Sequence, residues 1–192
     1  TGCYTSEGKR LGGYTQAVYD LDSILTYCDN NDSFSNLPIY LFGHSMGGYA
    51  VTTILNFEHR VDAVVSASGF NSASEQWECS VKRFIGFAYP IIRPLNLAFI
   101  YFEYGEDKDL SAIDGINTVD IPVLVISADK DVFYNEKRSA IYEKRDLVKN
   151  KKCKFMLMNK PNHNEHYTYF LTDAALQYQK SNPSENIDKE LY

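Results

Sequence analysis

The sequence predicts an α/β fold, a mostly parallel sheet of about four strands with a helical insertion after the second strand. Three observations predict it. Short apolar runs bounded by turn residues alternate with stretches of helical periodicity, the pattern of parallel crossovers. The run Ile121 to Ser127 (IPVLVIS) is the most strand-like in the chain. Residues 71–119 carry dense aromatics and prolines without a clean strand pattern.

Each element follows in order. Thr1 to Gly13 holds four glycines and no apolar periodicity, so it reads as a loop. Ala17, Leu21, Ile24, Leu25 and Cys28 then place one stripe on a helix over Tyr14 to Asp29. After the polar loop Asn30 to Asn36, Ile39 to Phe42 forms a short buried strand that stops at Gly43. A second helix begins near Gly48 through Ala50, Val51, Ile54 and Leu55, and Val61 to Gly69 is the next strand. The chain thus divides into a first core part (1–70), a helical cap insertion (71–119), a second core part (120–180) and a polar tail (181–192). The second part reads as the strand Ile121 to Ser127, a helix from Asn135 to Lys149, a strand Lys154 to Met158 and a helix Thr172 to Gln179. Thr172 and Asp173 suit the start of that last helix.

Composition narrows the function classes. Of the 192 residues, 44% are hydrophobic and 23% charged, which fits one ordinary globular domain. A net charge of -6 argues against a nucleic-acid partner, since phosphate neutralisation needs clustered Lys and Arg. No uninterrupted apolar run reaches the ~18 residues of a membrane span. Cys3, Cys28, Cys79 and Cys153 lie far apart without zinc-ligand spacing, and they are expected as free thiols in a reducing, cytoplasmic setting.

Gly43-His44-Ser45-Met46-Gly47 stands where a buried strand hands over to a helix. A serine on such a turn takes strained backbone angles and projects its hydroxyl above the sheet, and side chains at the two flanking glycines are expected to clash. The following helix start offers unpaired N–H groups to a developing oxyanion, with that of Met46 the natural donor. A serine hydroxyl needs a histidine to take its proton and a carboxylate to orient that histidine. Asp129 and Asp131 follow the strand Ile121 to Ser127 on the edge where Ser45 emerges, and Asp131, further out over that edge, is favoured as the acid. His163 and His166, just past the last strand, are the candidates for the base. Metal ligation by this pair has little support, because it lies in a Pro/Asn-rich loop without an evident third ligand.

On these residues the chain resembles the α/β-hydrolase family. GHSMGG (Gly43 to Gly48) is similar to its nucleophile turn, SADKD (Ser127 to Asp131) to its acid loop and PNHNEH (Pro161 to His166) to its histidine loop. TGCYTSEG (Thr1 to Gly8) resembles the loop after the family's fourth strand, and Asn71 to Val119 its cap. The resemblance implies Ser45 as nucleophile, Asp131 as acid and His166 as base, the last because of its distance to Tyr169, Phe170 and Thr172-Asp173; His163 is the alternative. It implies a cap-bearing serine esterase, lipase or peptidase that uses no cofactor and cleaves a small ester or peptide-like substrate. The aromatic cap is expected to close over the site and favour an apolar acyl or aryl group. It also implies an N-terminal segment that this chain lacks, including one oxyanion donor and the strand that would pair beside Ile39 to Phe42; the chain is therefore expected to be a fragment, with that segment as its partner. Two other functions use the same residues: a non-catalytic hydrolase-like binding protein, and an acyltransferase.

Overall fold

The computed structural model describes residues 5, 7–8, 12–132 and 139–182. Most of the opening loop, Cys3 and the tail beyond 182 lie outside the described residues. Helix α1 (Gly13–Asp29) starts after Gly12 and buries Val18 and Leu25. Strand β1 (Tyr40–His44) leads through Ser45 into α2 (Met46–Thr53), and β2 (Ala63–Ala67) follows. The insertion is helical, as expected: α3 (Ala73–Ile85), α4 (Tyr89–Tyr104) and α5 (Ala112–Thr118). Then come β3 (Val123–Ala128), β4 (Cys153–Met158) and α6 (Asp173–Ser181), whose N-terminus is capped by Thr172 Oγ1 accepting from the Ala175 N–H.

The four strands pair in parallel in the order β1-β2-β3-β4. Alternation of side chains along each strand then creates two unlike faces. One carries Val64, Val123 and Val125, which pack with Val51, Leu55, Ile113 and Ile116 from α2, α5 and the turn between α2 and β2. Short helix α5 belongs to this core packing, since its Ala112, Ile113 and Ile116 are buried there. On the opposite face, Tyr40 and Phe42 of β1 and Met156 of β4 are exposed. A second cluster joins Val18 and Leu25 of α1 to Tyr49, Ala50 and Ile54, with Phe70 stacked on Tyr49.

One expectation needs correction. The helix placed over Asn135 to Lys149 is not formed where the chain is described: residues 141–147 make a 3-10 turn, and 133–138 lie outside the described residues. The cause is tertiary. Ala140 bridges Phe70 in antiparallel fashion, Asn71 N–H donates to the Ser139 carbonyl and Ile141 N–H to the Gly69 carbonyl. That extended pairing occupies the residues a longer helix would need. The cap aromatics are largely open to solvent: Phe84, Phe87, Tyr101 and Phe102 are exposed, and of the α4 aromatics only Tyr89 and Tyr104 are buried.

Asn71 anchors the base of the insertion. Its side-chain oxygen accepts from Ser111 Oγ and the Ile113 N–H, and its backbone carbonyl accepts from Ala112. The two ends of the cap are thereby tied to one buried residue.

Candidate active site

Parallel strands deliver their C-terminal ends to one edge of the sheet, so the segments after β1, β2, β3 and β4 meet there. Ser45 follows β1 with φ 56 and ψ -116, a conformation that costs a non-glycine residue about 1–3 kcal/mol. Its neighbours hold it. Ser45 N–H donates to the Ala67 carbonyl at 2.9 Å, and its own carbonyl accepts from Tyr49 N–H at 3.1 Å. The Ser45 side chain makes no helix-capping bond. Met46 opens α2 and is 43% exposed, so its N–H belongs to the first helical turn, where no intrahelical acceptor exists.

The glycines act differently from the sequence expectation. A Cβ on Gly43 would stand 2.1 Å from the Gly47 carbonyl oxygen and 2.8 Å from Gly48 N, so that position excludes a side chain. Gly47 has nothing within 4 Å of its would-be Cβ. The second demanding position is instead Gly48, whose Cβ would meet Ala67 O, Gly69 Cα and Ser66 Oγ at 3.0 Å each. Close approach of α2 to β2, rather than the turn itself, is what calls for a glycine there.

After β3 the chain turns at Asp129, which is exposed and whose N–H donates to the Met158 carbonyl. Asp131 is 4% exposed and its Oδ2 lies 2.7 Å from His166 Nδ1. With Asp131 ionised, Nδ1–H donates to it, and Nε2 of the neutral ring keeps its lone pair as a proton acceptor. The acid and histidine loops are also joined through Lys130 N–H, which donates to the Asn164 carbonyl at 2.7 Å. His163 is engaged elsewhere: Nε2 lies 2.6 Å from Asp173 Oδ1 and Nδ1 3.2 Å from the Thr168 carbonyl. Hydrogen bonding to His163, aided by the nearby Lys160 ammonium, holds the Asp173 carboxyl below its ordinary range.

The roles of two residues at this edge, His44 and Ser68, were not singled out from the sequence. His44 Nε2 and Ser68 Oγ both donate to the backbone carbonyl of His166, at 2.9 and 3.1 Å. The rings of His44 and His166 lie 4.7 Å apart, which brings the residue next to Ser45 against the candidate base. Ser68, almost fully buried with φ 47, also accepts from the Tyr169 hydroxyl at 2.8 Å. Burial pushes the Tyr169 hydroxyl pKa up, so it stays a donor. A signal for Ser68 existed, since it directly follows a parallel strand at the edge that carries the chemistry.

Residues 2–112 match the protein family described as serine aminopeptidase, S33. Among solved structures, the chain is similar to a lipase-esterase related protein from Clostridium acetobutylicum ATCC 824, at 18% identity and TM-score 0.50, covering 98% of this chain and 79% of that one. It is also similar to an esterase from Pyrococcus furiosus, at 14% identity and TM-score 0.58, over 98% of this chain and 66% of that chain. A monoacylglycerol lipase from Paleococcus ferrophilus aligns at 18% identity and TM-score 0.51, over 94% and 77%. No match is found among curated proteins.

Proposed function

The chain belongs to the serine aminopeptidase S33 family and has an α/β-hydrolase fold, and from that premise we propose that it is a serine hydrolase acting on a small ester. The observation that carries this reading is the buried 2.7 Å bond from Asp131 to His166, with the His166 ring against His44, the residue preceding the strained Ser45. In the proposed reaction Ser45 Oγ attacks the carbonyl carbon while its proton passes to His166 Nε2. Asp131 holds the ring in the tautomer that accepts there and stabilises the imidazolium that forms. The tetrahedral oxyanion lies against the Met46 N–H. Collapse breaks the C–O bond, His166 protonates the departing alcohol, and water delivered through the same histidine releases the acid.

The Pyrococcus furiosus and Paleococcus ferrophilus neighbours, an esterase and a monoacylglycerol lipase, favour an ester as substrate. The family description favours a peptide amide as the second reading. A fluorophosphonate probe followed by mass spectrometry tests the first step. Labelling at Ser45 that is abolished by Ser45→Ala is expected; an intact, folded chain that stays unlabelled overturns the proposal.

A further inference from the structure

Helix α4 has its polarity reversed. Its inward stripe carries Tyr89, Asn96, Ile100 and Tyr104, and the polar groups there are bonded: Trp77 Nε1 donates to Asn96 Oδ1 at 3.0 Å, and Tyr89 Oη donates to Glu78 at 2.8 Å. The opposite stripe, at helical spacing, is apolar and open: Ile91 is 81% exposed, Leu95 71% and Phe102 84%. The turn from α3 continues this surface, with Phe84 89% and Phe87 100% exposed. In water a helix that is apolar nearly all round is ordinarily buried. An exposed patch this large marks an interaction site.

Two further observations identify what it fits. Residues 79–102 contain Lys82, Arg83 and Arg93 and no Asp or Glu, a local +3 in a chain of net -6. Arg93 is bridged to Glu78 at 3.1 Å; half-buried Lys82 and exposed Arg83 immediately precede Phe84 at the turn. One 18-residue stretch within residues 73–118 also reaches the mean hydropathy of a membrane segment, 1.3. Yet α4, with 16 residues, is about 24 Å long at 1.5 Å per residue, short of the ~30 Å hydrocarbon core. A short helix with one apolar face and basic residues at its end is suited to lie in a bilayer interface rather than cross it.

We propose that the α3–α4 hairpin docks on an anionic lipid bilayer, inserting Phe84, Phe87, Ile91 and Leu95 beside lipid headgroups that face Lys82 and Arg83. Docking of this hairpin is separate from catalysis. Arg83 Nη1 also donates to the carbonyl of Val132, next to Asp131, so the docked hairpin holds the candidate site close to the membrane surface.

The test is flotation of the full chain with vesicles of phosphatidylcholine alone or with about 30% phosphatidylglycerol. Binding to the anionic vesicles is expected, reduced at least about tenfold by Phe87→Ser/Ile91→Ser and to the neutral-vesicle level by Lys82→Gln/Arg83→Gln. Circular dichroism melting checks that these substitutions leave the fold intact. The single tryptophan, Trp77, stacks on Phe99 at 4.9 Å and gives a readout without mutation: brominated acyl chains should quench it on binding. Absence of vesicle binding, binding indifferent to Phe87→Ser/Ile91→Ser, or a dimer broken by those substitutions without any lipid association overturns the proposal.

Discussion

Replacing Gly43 and Gly47 separately with alanine should move stability in opposite directions, although both glycines belong to the same five-residue motif. At Gly43 the new methyl would lie 2.1 and 2.3 Å from the carbonyl oxygen and carbon of Gly47 and 2.8 Å from Gly48 N, far inside van der Waals contact. All three are backbone atoms, so no rotamer change relieves the clash. Either β1 and α2 part by more than about 1 Å or Ser45 leaves its strained conformation. Overpacking in a core typically costs about 1–3 kcal/mol, and a rigid obstacle places Gly43→Ala at the upper end, about 3 kcal/mol. Gly47 lies in α2 with open space around its would-be Cβ and no positive φ, so alanine there should gain about 0.5–1 kcal/mol by helix propensity and reduced freedom of the unfolded chain. For a chain of this size each kcal/mol is worth roughly 2–4 °C in Tm. Thermal and urea melts should therefore show Gly43→Ala falling by about 6–12 °C and Gly47→Ala rising by about 1–4 °C. Equal shifts, or a neutral Gly43→Ala, would refute the contact geometry on which the strained Ser45 rests.

The contacts of Asp131, His163, His166 and His59 set further expectations. Asp131→Asn keeps the shape but reverses the favoured tautomer of His166, and should lower ester turnover about 10⁴-fold while leaving the fold intact by circular dichroism. His166→Ala should remove nearly all turnover, about 10⁶-fold, whereas His163→Ala should keep it within about tenfold and lower Tm, because His163 is bonded to Asp173 and Thr168; the reverse order in an esterase assay would exchange the two histidines. His59 carries a pH signature. Burial alone would lower its pKa, but hydrogen bonds to Asp29 and Asp22 at 3.0 and 2.8 Å raise it above the ordinary value. Its stabilisation is complete below the unfolded pKa of about 6.5 and is lost as pH rises through the folded-state value. The difference in urea midpoint between the native chain and His59→Gln should shrink across that window, and a constant difference would contradict the pairing.

Local signals carried much of this fold. The alternation of β1, α2 and β2, the placement of Ser45 between strand and helix, and the cap on Thr172 all rest on patterns of a few residues, and they reappear at nearly the same positions in three dimensions. Long-range contacts decided the rest. The helix expected after β3 yields to extended pairing with Phe70 and Asn71, segments some seventy residues earlier in the chain. Which glycine is indispensable depends on how near α2 comes to β2, so the motif identified Gly43 but not Gly48. His44 and Ser68 act through the backbone carbonyl of His166, a contact between loops that no spacing encodes. The outward apolar stripe of α4 was visible only as aromatic density, because sequence reports hydrophobicity but not which side of a helix is covered.

The link between His163 and Asp173 crosses from the loop that carries His166 to the first turn of α6. Leu176 is the one buried residue of that helix, so its grip on the body of the protein is slight. Warming should therefore unravel this end before the sheet gives way, and the imidazole would lose its seat while the rest of the chain is still native. Heat inactivation is then expected to begin as the slackening of a hinge pin, ahead of the collapse that melting curves record.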